Sequence, residues 1–395
     1  LLMSLPFKKF RQRLLLLSVS AGYNLIPIIF NVVMAALVVR LLNASLWGEM
    51  VQVLLWAGIA GNIIAWGNKD YLVRDFSAAP TALGALWQQS FGSRSSIVAL
   101  LLVLLIFLPL SLPVKGWTAL YLVSRFIYMS YDSVIVFKRN FITTILLELL
   151  GFILTGAGIY CFHPADLQQL LGWFAGAEFL KTLVLVFLYR KEVLPVFFKG
   201  FTSNYFVAAF SFFLLYFTSM LASKIDLICV TSLFSKTEVA RYQVLMSFLQ
   251  ATQLSIPILL LPYLRIIYRL PVASIRKMAF RLLIVGMMIA SAAVFTVSVI
   301  LEFVYRFHYD PVIFFLGWLI VVPGFYYAPL IYRLFKNNRQ QVVVVISCIF
   351  ICCSAGLILL LLNSMPLSFT AVFVAMALAQ WLQGITYFFV GRKIT

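Results

Sequence analysis

Long apolar runs separated by short polar turns repeat along the whole chain, and most reach the roughly 20 residues that a helix needs to cross a bilayer. The pattern predicts about twelve transmembrane helices, which fall into two sets. The first set lies near residues 14–39, 48–66, 96–112, 117–137, 141–162 and 169–189, the third run being short. The second set lies near 205–233, 240–263, 282–302, 311–333, 342–362 and 369–389. The fold class is therefore an all-α integral membrane protein. Its expected organisation is an N-terminal six-helix bundle (1–189), a cytoplasmic linker (190–204) and a C-terminal six-helix bundle (205–395).

Residues that interrupt the pattern are informative. Pro27 lies in the first helix between Asn24 and Asn31, where a proline removes a backbone donor and asparagines can bond across a helix interface. Pro257 and Pro262 in the eighth helix, and the pair Pro323 and Gly324 in the tenth, predict kinked or discontinuous spans. The longest polar connection, residues 67–96, predicts an interfacial helix with Tyr71, Leu72, Phe76, Leu83 and Trp87 on its apolar side. The eleventh and twelfth helices are almost wholly apolar apart from Gln380 and Gln383, and read as bundle walls.

Composition agrees with the pattern: 64% of the 395 residues are hydrophobic and 11% charged, against about 25% charged in soluble domains. The net charge of +18 invites comparison with nucleic-acid-binding proteins, so the placement of the basic residues decides its meaning. One side of the predicted topology carries Lys8, Lys9, Arg11 and Arg13 before the first helix, and Lys69, Arg74 and Arg94 in the next connection on that side. It also carries Lys138, Arg139, Arg190, Lys191, Lys199, Arg265, Arg269, Arg276, Lys277, Arg281, Arg333, Lys336, Arg339, Arg392 and Lys393. The other side has only Arg40, Lys115, Lys236, Arg241 and Arg306. By the positive-inside rule both termini are cytoplasmic, and the charge is a topology signal with no nucleic-acid partner implied. The basic opening precedes an apolar run that continues to Val39 without a small-residue cleavage site, so it reads as a retained helix.

A few ionisable residues lie inside the spans, where charge is costly and faces a partner, a cavity or a ligand. Arg125 and Asp132 are seven residues apart in the fourth helix and share a face, about 10 Å apart along the axis. Each therefore needs another helix, water or a ligand. Glu148 lies in the fifth helix; Glu178 and Lys181 in the sixth have the spacing of a direct pair. That pair has two readings, a structural ion pair or part of a ligand or ion site. Lys224 and Asp226 in the seventh helix are two residues apart and point to different faces, and Lys224 can instead extend its stem toward the outer surface. The acids (Asp132, Glu148, Glu178, Asp226) outnumber the cations (Arg125, Lys181, Lys224), so charge sign alone does not identify an anionic substrate.

Enzyme motifs are missing. No HExxH, GxSxG or Walker-type glycine loop occurs, and the five cysteines form no CxxC, so neither a metal site nor a disulfide framework is indicated. Asp166, His308 and Asp310, all near outer loops, are the weak candidates for catalytic groups.

Two turns carry a resemblance. After the first helix the chain reads Leu42, Asn43, Ala44, Ser45, Leu46, Trp47, Gly48; after the seventh it reads Phe234, Ser235, Lys236, Thr237, Glu238, Val239, Ala240, then Arg241 and Tyr242. With two six-helix halves and a basic linker, this resembles the Wzx-type O-antigen and polysaccharide flippases of the multidrug/oligosaccharidyl-lipid/polysaccharide (MOP) exporter superfamily. The turns of that family usually read LGPEE[FV]GLY; Gly48 and Tyr242 are kept, while the leading glycine and the proline are lacking in both copies. Asp226 falls where the family often has an acidic residue.

The resemblance implies two bundles around a V-shaped central cavity, and non-enzymatic translocation of an undecaprenyl-pyrophosphate-linked oligosaccharide across a bacterial inner membrane by alternating access. It implies no cofactor beyond a coupling proton or sodium ion, and as partners the bilayer, a polysaccharide polymerase and a chain-length regulator. Arg125, Asp132, Lys181, Lys224, Asn24 and Asn31 are the expected cavity residues, and Asp226, Glu148 and Glu178 the expected ion-coupling acids. A multidrug or cation exporter of the same superfamily, and a membrane enzyme of polysaccharide assembly, are the alternatives. The topology is testable: reporter fusions near Lys199 and near Lys236 should report opposite sides of the membrane, and the same side for both would overturn it.

Overall fold

The computed structural model describes residues 7–260, 267, 271–337, 339–364 and 368–393; it describes no side chains for residues 7–21, 23, 24, 272 and 391–393. Asn24 as a cavity residue, Pro262 as a kink, and the contributions of Lys8, Lys9, Arg11, Arg13, Arg265, Arg269, Arg392 and Lys393 therefore lie outside the described residues. The described residues are mostly helical: α1 Phe7–Leu41, α2 Ala44–Ala65, α3 Asn68–Ala78, α4 Leu83–Phe107, α5 Leu112–Lys138, α6 Phe141–Phe162 and α7 Leu167–Tyr189. There follow α8 Asn204–Leu233, α9 Lys236–Gln253, α10 Ser255–Leu260, α11 Val272–Ile300, α12 Pro311–Lys336, α13 Gln340–Ser364 and α14 Phe369–Lys393. Among the described residues, 11 helical segments are long and apolar enough to cross a membrane, and the apolar part of α1, Leu25–Leu41, is a shorter one.

Two compact units form. One comprises Leu1–Leu42 with Trp56–Phe213, the other Asn43–Leu55 with Leu214–Thr395. In the first, α5 packs on α7, α1 and α7 on α6, and α3 on α5. In the second, α12 is central, packed by α11 and α14, with α13 against α14. Large apolar side chains such as Leu146, Ile153, Phe187, Phe295 and Phe303 stay exposed, as lipid-facing positions require.

The connection expected to be an interfacial helix is instead core. The third span is not the short run 96–112 but the 25-residue α4, which begins at Leu83. Trp87, Ser90, Phe91 and Arg94 recur at helical spacing along it and are all fully buried. Leu72 and Phe76 of α3 are buried in the same cluster, with Phe126, Tyr131 and Val134 of α5. The sequence pattern fails here because Ser90, Ser93 and Arg94 lower the local hydropathy while bonding inside the protein. The turn between α2 and α3 is left-handed at Trp66 (φ 43°) and Gly67 (φ 67°), and a Cβ on Gly67 would lie 2.6 Å from the Phe213 nitrogen. Trp66 stacks on Phe213 with ring centroids 4.0 Å apart and donates from Nε1 to the Phe206 carbonyl at 3.1 Å.

Proline acts differently in the two places expected to bend. Between α9 and α10 the helix breaks at Leu254, where Pro257 lacks the N–H that would have bonded back to Gln253. In contrast, α12 continues as one helix through Pro323, Gly324 and Pro329, so it is not discontinuous.

The two similar turns are helix N-caps. Asn43 Oδ1 accepts from the Leu46 nitrogen at 2.6 Å ahead of α2. Ser235 and Glu238 form a reciprocal capping box ahead of α9, the Glu238 carboxylate accepting from the Ser235 nitrogen at 3.0 Å. Within the second unit the two helix starts also touch. Trp47 Nε1 donates to Gln243 Oε1 at 3.0 Å, Lys236 Nζ bonds to Gln52 Oε1, and Gly48 lies directly against the Lys236 carbonyl. No side chain fits at position 48 without moving that backbone. Gly48→Ala should therefore cost about 1–3 kcal/mol through overpacking, read as a lower unfolding midpoint in detergent. Gly58→Ala, with nothing within 4 Å of its new methyl, should be neutral or slightly stabilising.

Candidate functional site

In the first unit, α5, α6 and α7 bring four of the sequence-identified charges into one network. Glu178 bridges two cations: its Oε1 accepts from Arg125 Nη1 at 3.1 Å and its Oε2 from Lys181 Nζ at 2.7 Å. Lys181 also donates to Glu148 Oε2 at 2.9 Å, and Tyr128 closes the network by donating to Glu148 Oε1 at 2.8 Å. Gly151 makes this reach possible. It lies one turn after Glu148, and a Cβ there would come within 2.7 Å of Lys181 Cδ. Lys181 Nζ also stands 5.0 Å from the centre of the Tyr128 ring. Two formal positive charges meet two negative ones. The Arg125 side chain is 37% exposed, whereas those of Glu178 and Lys181 are each 7% exposed. Asp132, half-buried farther along α5, adds its charge to the surroundings of Arg125 and Tyr128.

The second unit holds a cavity of about 390 Å³, within the usual range for ligand sites. Its polar lining is almost uncharged: Gln250, Gln253, Gln380, Gln383, Ser219, Ser223 and Ser347, with the rings of Tyr216, Tyr327, Phe350 and Tyr387. Among the described residues, Asp226 is the one charged residue lining it, and no Lys or Arg does. Tyr242 donates to Asp226 Oδ2 at 2.7 Å, while Oδ1 is buried with no hydrogen-bond partner. Lys224 makes no ion pair with Asp226 and donates instead to Gln250 Oε1 at 3.3 Å. Gln250 in turn donates to the Ser223 carbonyl at 3.2 Å, and Tyr327 donates to Gln380 Oε1 at 3.3 Å.

The charges identified from sequence thus fall into two groups: Arg125, Asp132, Glu148, Glu178 and Lys181 in the first unit, Lys224 and Asp226 in the second. Asn31 on α1 is exposed. Tyr128, Tyr242 and the glutamines were not recognised as site residues from the sequence. Gln380, Gln383 and Tyr387 in α14 are not plain wall positions but lie on one face at helical spacing, the signal that could have found them. Of the outer-loop candidates, Asp166 caps α7 by accepting from the Gln169 nitrogen at 2.8 Å, and Asp310 caps α12 by accepting from the Val312 nitrogen at 2.9 Å. His308 is exposed beside Glu302. Among the described residues no three His, Cys, Asp or Glu side chains group to hold a metal ion.

No sequence family and no curated protein matches the chain. Its fold matches solved transporters. A multidrug-resistance MATE family transporter of the MOP superfamily, in its inward-facing conformation, aligns with a TM-score of 0.62 at 11% identity, over 94% of this chain and 93% of that one. The lipid II flippase MurJ, inward closed, aligns at 0.59 and 11% identity over 93% and 87%. The MATE multidrug transporter DinF-BH aligns at 0.58 and 12% identity over 96% and 94%. The chain therefore has the fold of MOP-superfamily transporters, which include both multidrug exporters and a lipid flippase.

The network sets a stability prediction. Lys181→Met leaves two buried carboxylates facing each other and should cost about 3–5 kcal/mol, measured as loss of the folded fraction in detergent. Arg125→Met, which removes a partly exposed charge, should cost clearly less. Equal losses would show that the bridge through Glu178 and not the burial of Lys181 dominates.

Proposed function

We propose that the protein is a flippase that carries an undecaprenyl-pyrophosphate-linked oligosaccharide, an O-antigen or similar repeat unit, across a bacterial inner membrane by alternating access of its two units, with both termini cytoplasmic. The observation that carries this reading is the cavity of the second unit. Amides and hydroxyls both donate and accept, which suits the mixed hydrogen bonding of sugar hydroxyls, and aromatic faces suit the apolar faces of sugar rings. A cavity that no described Lys or Arg lines does not suit the pyrophosphate. That group is assigned to the first unit, where Arg125 keeps part of its side chain exposed while its charge is held in place by Glu178. Asp132 and Asn31 belong to the same proposed path. Lys181 acts there by holding Glu178 and Glu148, and Lys224 by holding Gln250 at the edge of the cavity.

Asp226 is the proposed coupling acid for a proton or sodium ion, with Glu148 and Glu178 as further candidates. Its Oδ1 is free of hydrogen bonds, and its Oδ2 is oriented by Tyr242. A polymerase and a chain-length regulator are the proposed partners downstream, since a single translocated repeat unit must be joined to others.

The same carboxylate favours a second reading, export of a small cationic or amphipathic compound, because one acid in an aromatic cavity also suits a cation. A deletion strain separates the two. The flippase reading expects lipid-linked repeat units to accumulate facing the cytoplasm in a leaflet-resolved assay, and normal surface polysaccharide in that strain would overturn it. Drug hypersensitivity with intact polysaccharide would establish the second reading, and surface-exposed but unpolymerised single units would point to a polymerase. In the same assay, Arg125→Ala and Asp132→Ala should lower translocation at least tenfold while the protein still inserts.

A further inference from the structure

Arg94 is the most deeply buried cation among the described side chains, and its surroundings differ from those of the other interior charges. It is 0% exposed, and no carboxylate is paired with it among the described residues. Its Nε donates to Ser90 Oγ at 3.2 Å and its Nη2 to Ser130 Oγ at 2.9 Å, and its guanidinium carbon lies 5.3 Å from the centre of the Phe126 ring. Each serine has already given its one hydrogen: Ser90 donates to Asn68 Oδ1 at 2.6 Å, and Ser130 to the Phe126 carbonyl at 2.7 Å. Three buried polar atoms at this place have no hydrogen-bond partner: Arg94 Nη1, Asn68 Nδ2 and the hydroxyl of Tyr205. Tyr205 stands beside both Ser90 and Arg94.

All three orphaned groups carry hydrogens to donate, and the cluster carries one uncompensated positive charge. Leaving such groups unsatisfied is costly, and a buried guanidinium without a counter-charge costs still more. A water molecule here could accept two of these bonds and donate to the remaining lone pairs of the serine oxygens, but it would leave the guanidinium charge uncompensated. An anion accepts only. The site is closed, Asn68 being 2% and Tyr205 3% exposed, so a polyatomic phosphate with its own shell of oxygens does not suit it.

We infer that Arg94, Asn68 and Tyr205 form an internal binding site for a small monovalent anion of the halide class. The anion would join α3, α4 and the first turn of α8, and through Ser130 the middle of α5. The same stretch of α4 already holds the linker, since Ser93 Oγ accepts from the Thr202 nitrogen at 3.0 Å and Ser95 Oγ from the Phe198 nitrogen at 2.9 Å. The bound anion is thus a structural member of the first unit, separate from the Arg125 network.

Chloride is the probe, used on the full chain purified in detergent. Thermal unfolding at constant ionic strength should give a higher midpoint in sodium chloride than in sodium gluconate, and equilibrium dialysis with labelled chloride should retain about one ion per chain. Arg94→Gln should abolish both effects. Tyr205→Phe, a milder change, should raise the half-saturating chloride concentration about tenfold, the usual worth of one hydrogen bond to a charged group. Equal midpoints in the two salts with no chloride retained by the unaltered protein would overturn the proposal, as would full retention by Arg94→Gln.

Discussion

A charge taken out of water needs a partner, and in a chain this apolar the partners organise the helices around them. Lys181 reaches from α7 to Glu148 on α6 along a path left open by Gly151, and Glu178 ties α7 to Arg125 on α5. Because both carboxylates and both cations are used within one unit, the network fixes the rotation of three helices about their own axes. Lipid-facing apolar packing cannot do this, since one apolar face serves as well as another in hydrocarbon. Such a network adds little net stability relative to well-packed apolar residues, but breaking it is expensive, which makes it a device for specifying one arrangement.

The second unit solves the same problem with uncharged groups. Its glutamines and tyrosines satisfy one another in part and leave amide and hydroxyl groups along a cavity, and one carboxylate, Asp226, is held by Tyr242. The two units therefore differ in chemistry. The difference is already visible in the chain: in the first half, the residues in register with Lys224 and Asp226 are Val32 and Met34.

The repeated turns acquire a physical meaning from their hydrogen bonds. Asn43 and Ser235, at matching positions in the two halves, each satisfy an orphan N–H at the start of a helix. Proline and the leading glycine can be absent from both copies because the cap needs only a side-chain oxygen there. Gly48 is kept for a different reason, the approach of the Lys236 carbonyl to its Cα.

Much of this was legible in the sequence. Apolar runs near bilayer length gave the helices, the uneven placement of Lys and Arg gave an expected orientation, and the rarity of charge inside the runs pointed to Arg125, Glu148, Glu178, Lys181 and Asp226, because membrane burial leaves few reasons to keep an ionisable residue. The tertiary structure alone decided which of them meet. Arg125 and Glu178 are far apart in the chain, and no spacing rule links α5 to α7. It also decided that Arg94, which reads as a polar connection residue, belongs to the core: a hydropathy window averages its charge with Ser90 and Ser93 and cannot register that the hydroxyls of Ser90 and, from α5, Ser130 accept from it inside the protein. The cavity glutamines escaped for the converse reason. Amides carry no charge to stand out against an apolar run, and only the packing of α9, α12, α13 and α14 turns them toward one space.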